Sequence, residues 1–268
     1  MRVTVITPTK NQAHYIEDCL RSVHGQTHRD IEHIVLDGMS TDGTAEIVAR
    51  YPCIFVQKRD SGPAQAINRG LDMAAGDIVC WLNSDDMFWS NTTIARIVDL
   101  FMEFSNVDVI TGNGYTVDER GKLLLPIVPR PGRLGLYWMR RLDYMLQPAT
   151  FWRRNKFRLD EELGYVFDWK LWIEFLQGGL SLLYVPEYFA SYRMQASSLT
   201  YQDTAARKRE VYTLTRRYGP RRAQIAWCWL VWMLCRLSEI MRAPAIKRFA
   251  VRLNGILSRA TDESIVSG

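Results

Sequence analysis

Cysteine is scarce and unpatterned in this chain. The five cysteines among 268 residues, Cys19, Cys53, Cys80, Cys228 and Cys235, form neither a CxxC pair nor a disulfide framework. Buried free thiols and a reducing compartment are the expectation. No GxGxxG or GxxxxGK run occurs, which disfavours the usual nicotinamide and ATP enzymes. The four histidines, His14, His24, His28 and His33, all lie in the first 33 residues without HExxH spacing, so no histidine-based metal site is expected. His24 and His28 read as polar helix-end residues. The tryptophan-rich run from Ile225 to Cys235 holds 11 uncharged residues, short of the roughly 18 to 20 that a membrane-spanning helix needs. The opening Met1-Arg2-Val3-Thr4-Val5 reads as a strand and not as a signal peptide. There is no internal repeat and no low-complexity segment, and 47% hydrophobic with 24% charged residues is a globular composition.

What is present is unevenly distributed. From Ala205 to Ala260 the chain holds 13 Lys or Arg against Glu210 and Glu239, whereas the preceding 204 residues hold 21 basic and 25 acidic. The net charge of +5 therefore belongs to the C-terminal part. Such a block suits nucleic acid or an anionic lipid surface, or is a solvated helix face. No zinc-finger spacing or RNP-like run accompanies it, so nucleic acid is not expected. Three tryptophans beside Arg221, Arg222, Arg236 and Arg242 fit an interfacial helix, with packing against the catalytic domain or a second subunit as the alternative. Ile246, Phe249, Ala250 and Leu253 recur at helical spacing.

The first half alternates β-rich and helical patterns. Strands are expected at Val3–Thr7, Ile31–Leu36, Ile54–Val56, Ile78–Leu82 and Val107–Thr111. Helices are expected around Tyr15–Val23, after Asp42 as N-cap, at Gln65–Met73 and at Thr92–Phe104. This order implies a mostly parallel sheet covered by helices. Further on, Tyr115-Thr116-Val117 and Leu123-Leu124-Leu125 read as a hairpin around Gly121, Phe167–Phe175 as a helix, and Leu182–Val185 and Tyr188–Tyr192 as strands. Ligands of such sheets bind beyond the carboxyl ends of the strands, and polar clusters stand there: Thr7 to Asn11, Asp37 to Asp42, Asp60-Ser61-Gly62 and Asn83 to Asp86.

Two carboxylates, Asp85 and Asp86, after a buried strand are costly unless compensated. A divalent cation shared with substrate phosphates would compensate them; helix-capping acids before Thr92 are the alternative. Asp37, ending an apolar strand, suits a ribose or base.

The runs Ile6 to Asn11, Val35 to Thr44, Asp60 to Pro63, Gly76-Asp77, Trp81 to Asp86, Leu146 to Phe151 and Phe167 to Trp172 occur in the order found in a family the chain resembles, the family 2 glycosyltransferases of bacterial surface-polysaccharide assembly. The resemblance covers roughly residues 1 to 200. It implies an α/β fold of the GT-A type, a mostly parallel sheet flanked by helices, divided as 1–112 for the nucleotide-sugar and 113–203 for the acceptor. Residues 204–268 would form a helical, basic, membrane-surface extension. By resemblance, Thr7, Pro8, Thr9, Asp37, Asp60, Gln65, Asn83, Ser84 and Arg193 bind the donor, Asp85 holds Mn²⁺ or Mg²⁺, and Asp86 and Gln195 stand in the metal or sugar shell. Asp168 is the general base, and Gln147, Trp169 and Trp172 flank the acceptor. Two departures stand out: Asn83 replaces the first acid of the family's DxD motif, and Gln195 stands where Arg-x-His is usual, which would shift diphosphate charge onto Arg193.

The expected reaction is inverting transfer from a nucleotide-sugar, with UDP as carrier, to a hydroxyl of a lipid-linked saccharide. It would take place at the cytoplasmic face of the inner membrane. A homo-oligomer is left open. A nucleotidyltransferase is the alternative enzyme, but Ile6 to Lys10 lacks the glycine-rich basic loop it would want.

Overall fold

The structure is a computed structural model that describes residues 1–129, 135–195 and 205–219. The chain forms two units, Met1–Val211 and Tyr212–Gly268. The first thus runs past the boundary expected at 203. The arginine- and tryptophan-rich run after 220 and the amphipathic stretch at 246–253 lie outside the described residues. Among those described, no helix is long and apolar enough to cross a membrane.

A nine-stranded sheet organises the first unit. Strands β1 (Val3–Thr9), β2 (Ile31–Asp37), β3 (Ile54–Gln57) and β4 (Ile78–Trp81) run parallel in the order β3-β2-β1-β4. β1 and β4 are buried along their whole length, and the unbroken apolar run of β4 and the uncharged sequence of β1 follow from having both faces covered. Helix α1 (Ile16–His24) buries Ile16, Cys19, Leu20 and Val23, one stripe at 3.6-residue spacing. Acids in its first turn and bases in its last complement the helix dipole. α2 (Thr44–Val48) is short, and its N-cap is Gly43 in the left-handed region and not Asp42. Asp42 still takes the Thr44 N–H, at 3.1 Å. α3 (Pro63–Met73) begins on proline, whose missing N–H costs nothing there. A Cβ on its Gly70 would lie 2.5 Å from Ile6, so glycine lets this helix sit directly on β1 and β2.

Beyond β4 the sheet is mixed. β5 (Met87–Phe88), α4 (Thr93–Glu103) and β6 (Val109–Val117) follow in the chain, then β7 (Leu123–Ile127) and α5 (Leu136–Met139). β8 (Thr150–Arg153), α6 (Phe167–Gln177), β9 (Leu182–Arg193) and α7 (Ala205–Tyr218) complete the described elements. β6 was expected to extend the parallel run. Instead β8 inserts between β4 and β6, antiparallel to both. β6 is parallel to β9, and β5 pairs antiparallel with β9. The β6–β7 hairpin forms as expected, with Gly121 at φ +79 in its turn. β8 and β5 were not read from the sequence, because two- to four-residue strands leave too little alternation to see.

Candidate active site

The rim of the parallel half opens into a cavity of about 660 Å³. Pro8, Thr9 and Lys10 reach it from the end of β1, Gly38 from β2, Asp60 to Pro63 from the turn before α3, and Asn83 to Asp85 from the turn after β4. Gln147 and Gln195 stand against Asn83 and Asp85, and Tyr165, Phe167, Asp168 and Tyr192 complete the lining. Residues far apart in sequence meet here because parallel strands deliver their carboxyl ends to one edge.

The expected donor residues do not share one environment. Pro8 and Thr9 line the cavity, but Thr7 is buried behind it, its hydroxyl 3.0 Å from His33 Nε2. His33 is itself pushed down to about 3 by burial, so the pair is neutral core. Asp37 is likewise corrected. It is fully buried, accepting from Ser40 N–H and hydroxyl and from Gln57 Nε2 at 2.9 Å. Its work is to hold the 38–41 turn, where Met39 takes φ 64. Asn11 laces that turn to β1 through Ser40 and Thr41. Asp60 lines the cavity, ion-paired to Arg69, with its Oδ2 buried and without a partner. Gln65 stands off the lining, bonded to Ser61 N and Glu161.

The turn after β4 sorts its polar groups by direction. Ser84 and Asp85 line the cavity, and Gln195 Nε2 donates to Asp85 Oδ2 at 2.6 Å. Burial raises the Asp85 carboxyl above its ordinary range. Asp86 points inward, fully buried, accepting from Arg193 N–H at 3.0 Å and from Asn83 Nδ2 at 3.2 Å. Burial first, and then Asp85, hold its carboxyl well above the usual range. Asp86 is therefore no part of a metal or sugar shell. Asn83 also donates to Gln147 Oε1 at 3.0 Å, and Gln147 Nε2 to the Trp81 carbonyl at 2.6 Å. A carboxylate at 83 could make neither donation and would face Asp86, which accounts for the asparagine. Arg193 is corrected as well. It is 1% exposed and donates to the Asp85 carbonyl, the Glu119 carbonyl and Asp18 Oδ2, with Tyr15 against its guanidinium. It braces the turn from behind and does not face the cavity.

Across the cavity, Asp168 stands in the first turn of α6 and accepts the Trp169 N–H at 2.7 Å. Burial pushes it up to about 6, against the pull of Arg207. Asp143 beside it is held well above the usual range by burial and by Asp168. Trp169 and Trp172, expected to flank the acceptor, are core. Trp169 donates to the Met139 carbonyl at 2.5 Å, and Trp172 stacks on Trp81 at 5.6 Å. A helix this rich in large apolar residues must bury one face, and these tryptophans are on it. Tyr165, Phe167, Met145 and Leu146 supply the apolar wall instead. Lys10, Tyr165, Phe167 and Tyr192 were missed. Only the nearness of Tyr165 and Phe167 to Asp168 in sequence could have signalled two of them.

Among the described residues no group of three or more His, Cys, Asp or Glu could by itself hold a metal ion. Asp85 with Gln195 beside it nevertheless suits Mg²⁺ or Mn²⁺, which take one or two carboxylates and complete their shell with phosphate oxygens and water. Among the described residues Lys10 is the only cation lining the cavity, against Asp60, Asp85 and Asp168.

Comparison with known proteins agrees with this geometry. A Bacillus subtilis protein named for teichuronic acid biosynthesis, the glycosyltransferase TuaG, is 38% identical over 116 residues, 41% of this chain and 46% of that one. The chain spans about half of the length of several curated relatives it matches, 58% in one from Rickettsia typhi. Among solved structures, Staphylococcus aureus TarS 1–349 in complex with UDP-GlcNAc has a TM-score of 0.66 at 20% identity, covering 81% of this chain and 65% of that one. The mannosyltransferase PcManGT of Pyrobaculum calidifontis, in complex with GDP-Man and Mn²⁺, has a TM-score of 0.61 at 20% identity, covering 97% and 80%. These likenesses establish the fold. The model of glycosyl transferase family 2 matches residues 4–160, more than half of the sequence, and with the strand-end cavity and its Asn83-Ser84-Asp85 floor it makes this chain a member of glycosyl transferase family 2.

Proposed function

We propose that this protein transfers a sugar from a nucleoside diphosphate, with UDP as carrier, to a hydroxyl of a saccharide acceptor, inverting the anomeric configuration. The observation that carries this reading is that Asp85 and Asp168 line one cavity. Pro8, Thr9 and Gly38 offer the nucleoside a wall at the ends of β1 and β2. A diphosphate entering beside Lys10 meets three acids, so the donor needs a cation to bind. Asp85 would hold it, with Gln195 turned to present its amide oxygen. When bound, Mg²⁺ or Mn²⁺ supplies Lewis-acid neutralisation of the leaving diphosphate. Asp168 accepts the proton of the attacking hydroxyl, and general-base catalysis of this kind contributes about 10²- to 10⁴-fold. Its raised pKa of about 6 suits a base working near neutrality. With the base and the leaving group on opposite sides of the sugar, attack comes from the far face and inverts the centre.

The name of the Bacillus relative supports assembly of a surface polysaccharide as the context. The basic C-terminal sequence supports a lipid-linked acceptor met at the cytoplasmic face of the membrane. A screen of nucleotide-sugar turnover with and without Mn²⁺ tests the core of the proposal. Mn²⁺-dependent release of UDP from one UDP-sugar is expected. Turnover of no nucleotide-sugar, or full turnover in the presence of a chelator, would overturn it. For the membrane, flotation with anionic liposomes should be lost on truncation after Gly219.

A further inference from the structure

We infer that α7 belongs to the catalytic apparatus, and that Glu210 on it is a positioning residue holding the segment that carries Asp168 to the cavity. The inference rests on the reading of Asp168 as the general base.

The observation is a convergence of backbone donors. Glu210 Oε1 accepts the N–H of Gly164 at 2.8 Å, and Oε2 accepts those of Tyr165 at 2.9 Å and Val166 at 3.2 Å. These three residues lead directly into α6, whose N-cap Val166 has no side-chain cap. Helix starts leave backbone N–H groups without intrahelical partners, and the dipole there favours an anion. One carboxylate, from a residue more than 40 positions later in the chain, answers both needs. The segment so held places Tyr165, Phe167 and Asp168 on the cavity wall. One turn earlier on the same helix, Arg207 acts on Asp168 itself. The basic C-terminal region is thus not set apart from the chemistry: its first turns supply an acid that orders the wall and a base that tempers the catalytic carboxylate.

A displaced catalytic group costs up to about 10²-fold even when it is still present. Glu210→Gln keeps the shape but replaces one acceptor oxygen by an NH₂ group, which clashes electrostatically with an N–H. In the full-length protein this variant should lose about 10- to 100-fold in kcat for transfer. The donor KM should stay within about twofold, because Pro8, Thr9 and Asp85 are untouched. Amide hydrogen exchange at residues 164–166 should accelerate about 10-fold or more while β1 and β4 keep their protection. In the wild type those three amides should be protected, a measurement that needs no variant. Unprotected wild-type amides, an unchanged kcat in Glu210→Gln, or a donor KM that rises in step with the loss of kcat would each overturn the inference. Absence of wild-type transfer with every donor would count against the glycosyltransferase reading. Unprotected amides alongside intact transfer would count against Glu210 alone.

Discussion

Both regions of the cavity carry carboxyls raised by burial, and they differ in the partners those carboxyls are given. In the turn after β4 the acids are answered by groups from elsewhere in the chain. Asp86 is met by Asn83 and the Arg193 N–H, the Asp85 carbonyl by the Arg193 side chain, and the Asp85 carboxylate by Gln195. On the acceptor side two carboxyls, Asp143 and Asp168, share a partly buried corner, both pushed upward by burial. The difference teaches that the turn after β4 is organised to stay put, whereas the corner at Asp168 leaves room for the proton transfer proposed above. Buried polar networks are stable only when every member is satisfied, and a base needs the opposite.

The sharpest test of that contrast is Asp168→Asn. It should cost about 10³-fold in transfer with donor affinity unchanged by titration calorimetry; retained turnover would make Asp168 a structural acid. In the wild type, kcat should fall tenfold per pH unit below about 6, where Asp168 is protonated, and level off above it. Next in size, Arg193→Met removes the brace behind the donor floor. It leaves the Asp18 carboxylate and two backbone carbonyls short of a donor and should cost about 3 kcal/mol of stability in urea unfolding. A change below about 0.5 kcal/mol would show the floor holds without it. Asn83→Asp restores the acid common in the family but sets it against Asp86 and Gln147. It should destabilise by about 2 kcal/mol, read as a lowered urea midpoint, and a stabilised variant would refute the assigned role of the asparagine.

The smallest effect probes the acceptor corner. A carboxyl whose folded pKa lies above its unfolded one disfavours folding once ionised. The penalty is absent below the unfolded pKa near 4 and grows as pH rises through the folded value. Asp143→Asn should therefore gain about 1 kcal/mol at pH 8 and nothing at pH 4. Equal stability gains at both pH values would point to packing instead.

Much of this site could be read from the chain alone. The apolar runs at Val3, Ile31 and Ile78 announced parallel strands, and the polar residues after them named the rim where Pro8, Asp60, Asn83, Asp85 and Asp168 stand. What escaped was direction. Thr7 and Thr9 lie two apart on β1, yet one is bonded to His33 in the core and the other, the strand's last residue, lines the cavity. Asp85 and Asp86 look alike in sequence, but a turn sends them to opposite sides. Trp169 and Trp172 flank Asp168 in the chain and turn their rings into the sheet.

The sequence by itself determined which residue types gather at the strand ends, since the alternation of apolar runs and polar clusters dictates a sheet with one functional rim. The tertiary structure alone decided which of them are free to react. That depends on which hydrogen-bond partner arrives from elsewhere in the chain: Arg193 behind Asp85, Gln195 beside it, and Glu210 beneath the segment bearing Asp168. Such partners lie tens to more than a hundred residues away in the chain, and no local pattern encodes a contact made only when the sheet has closed.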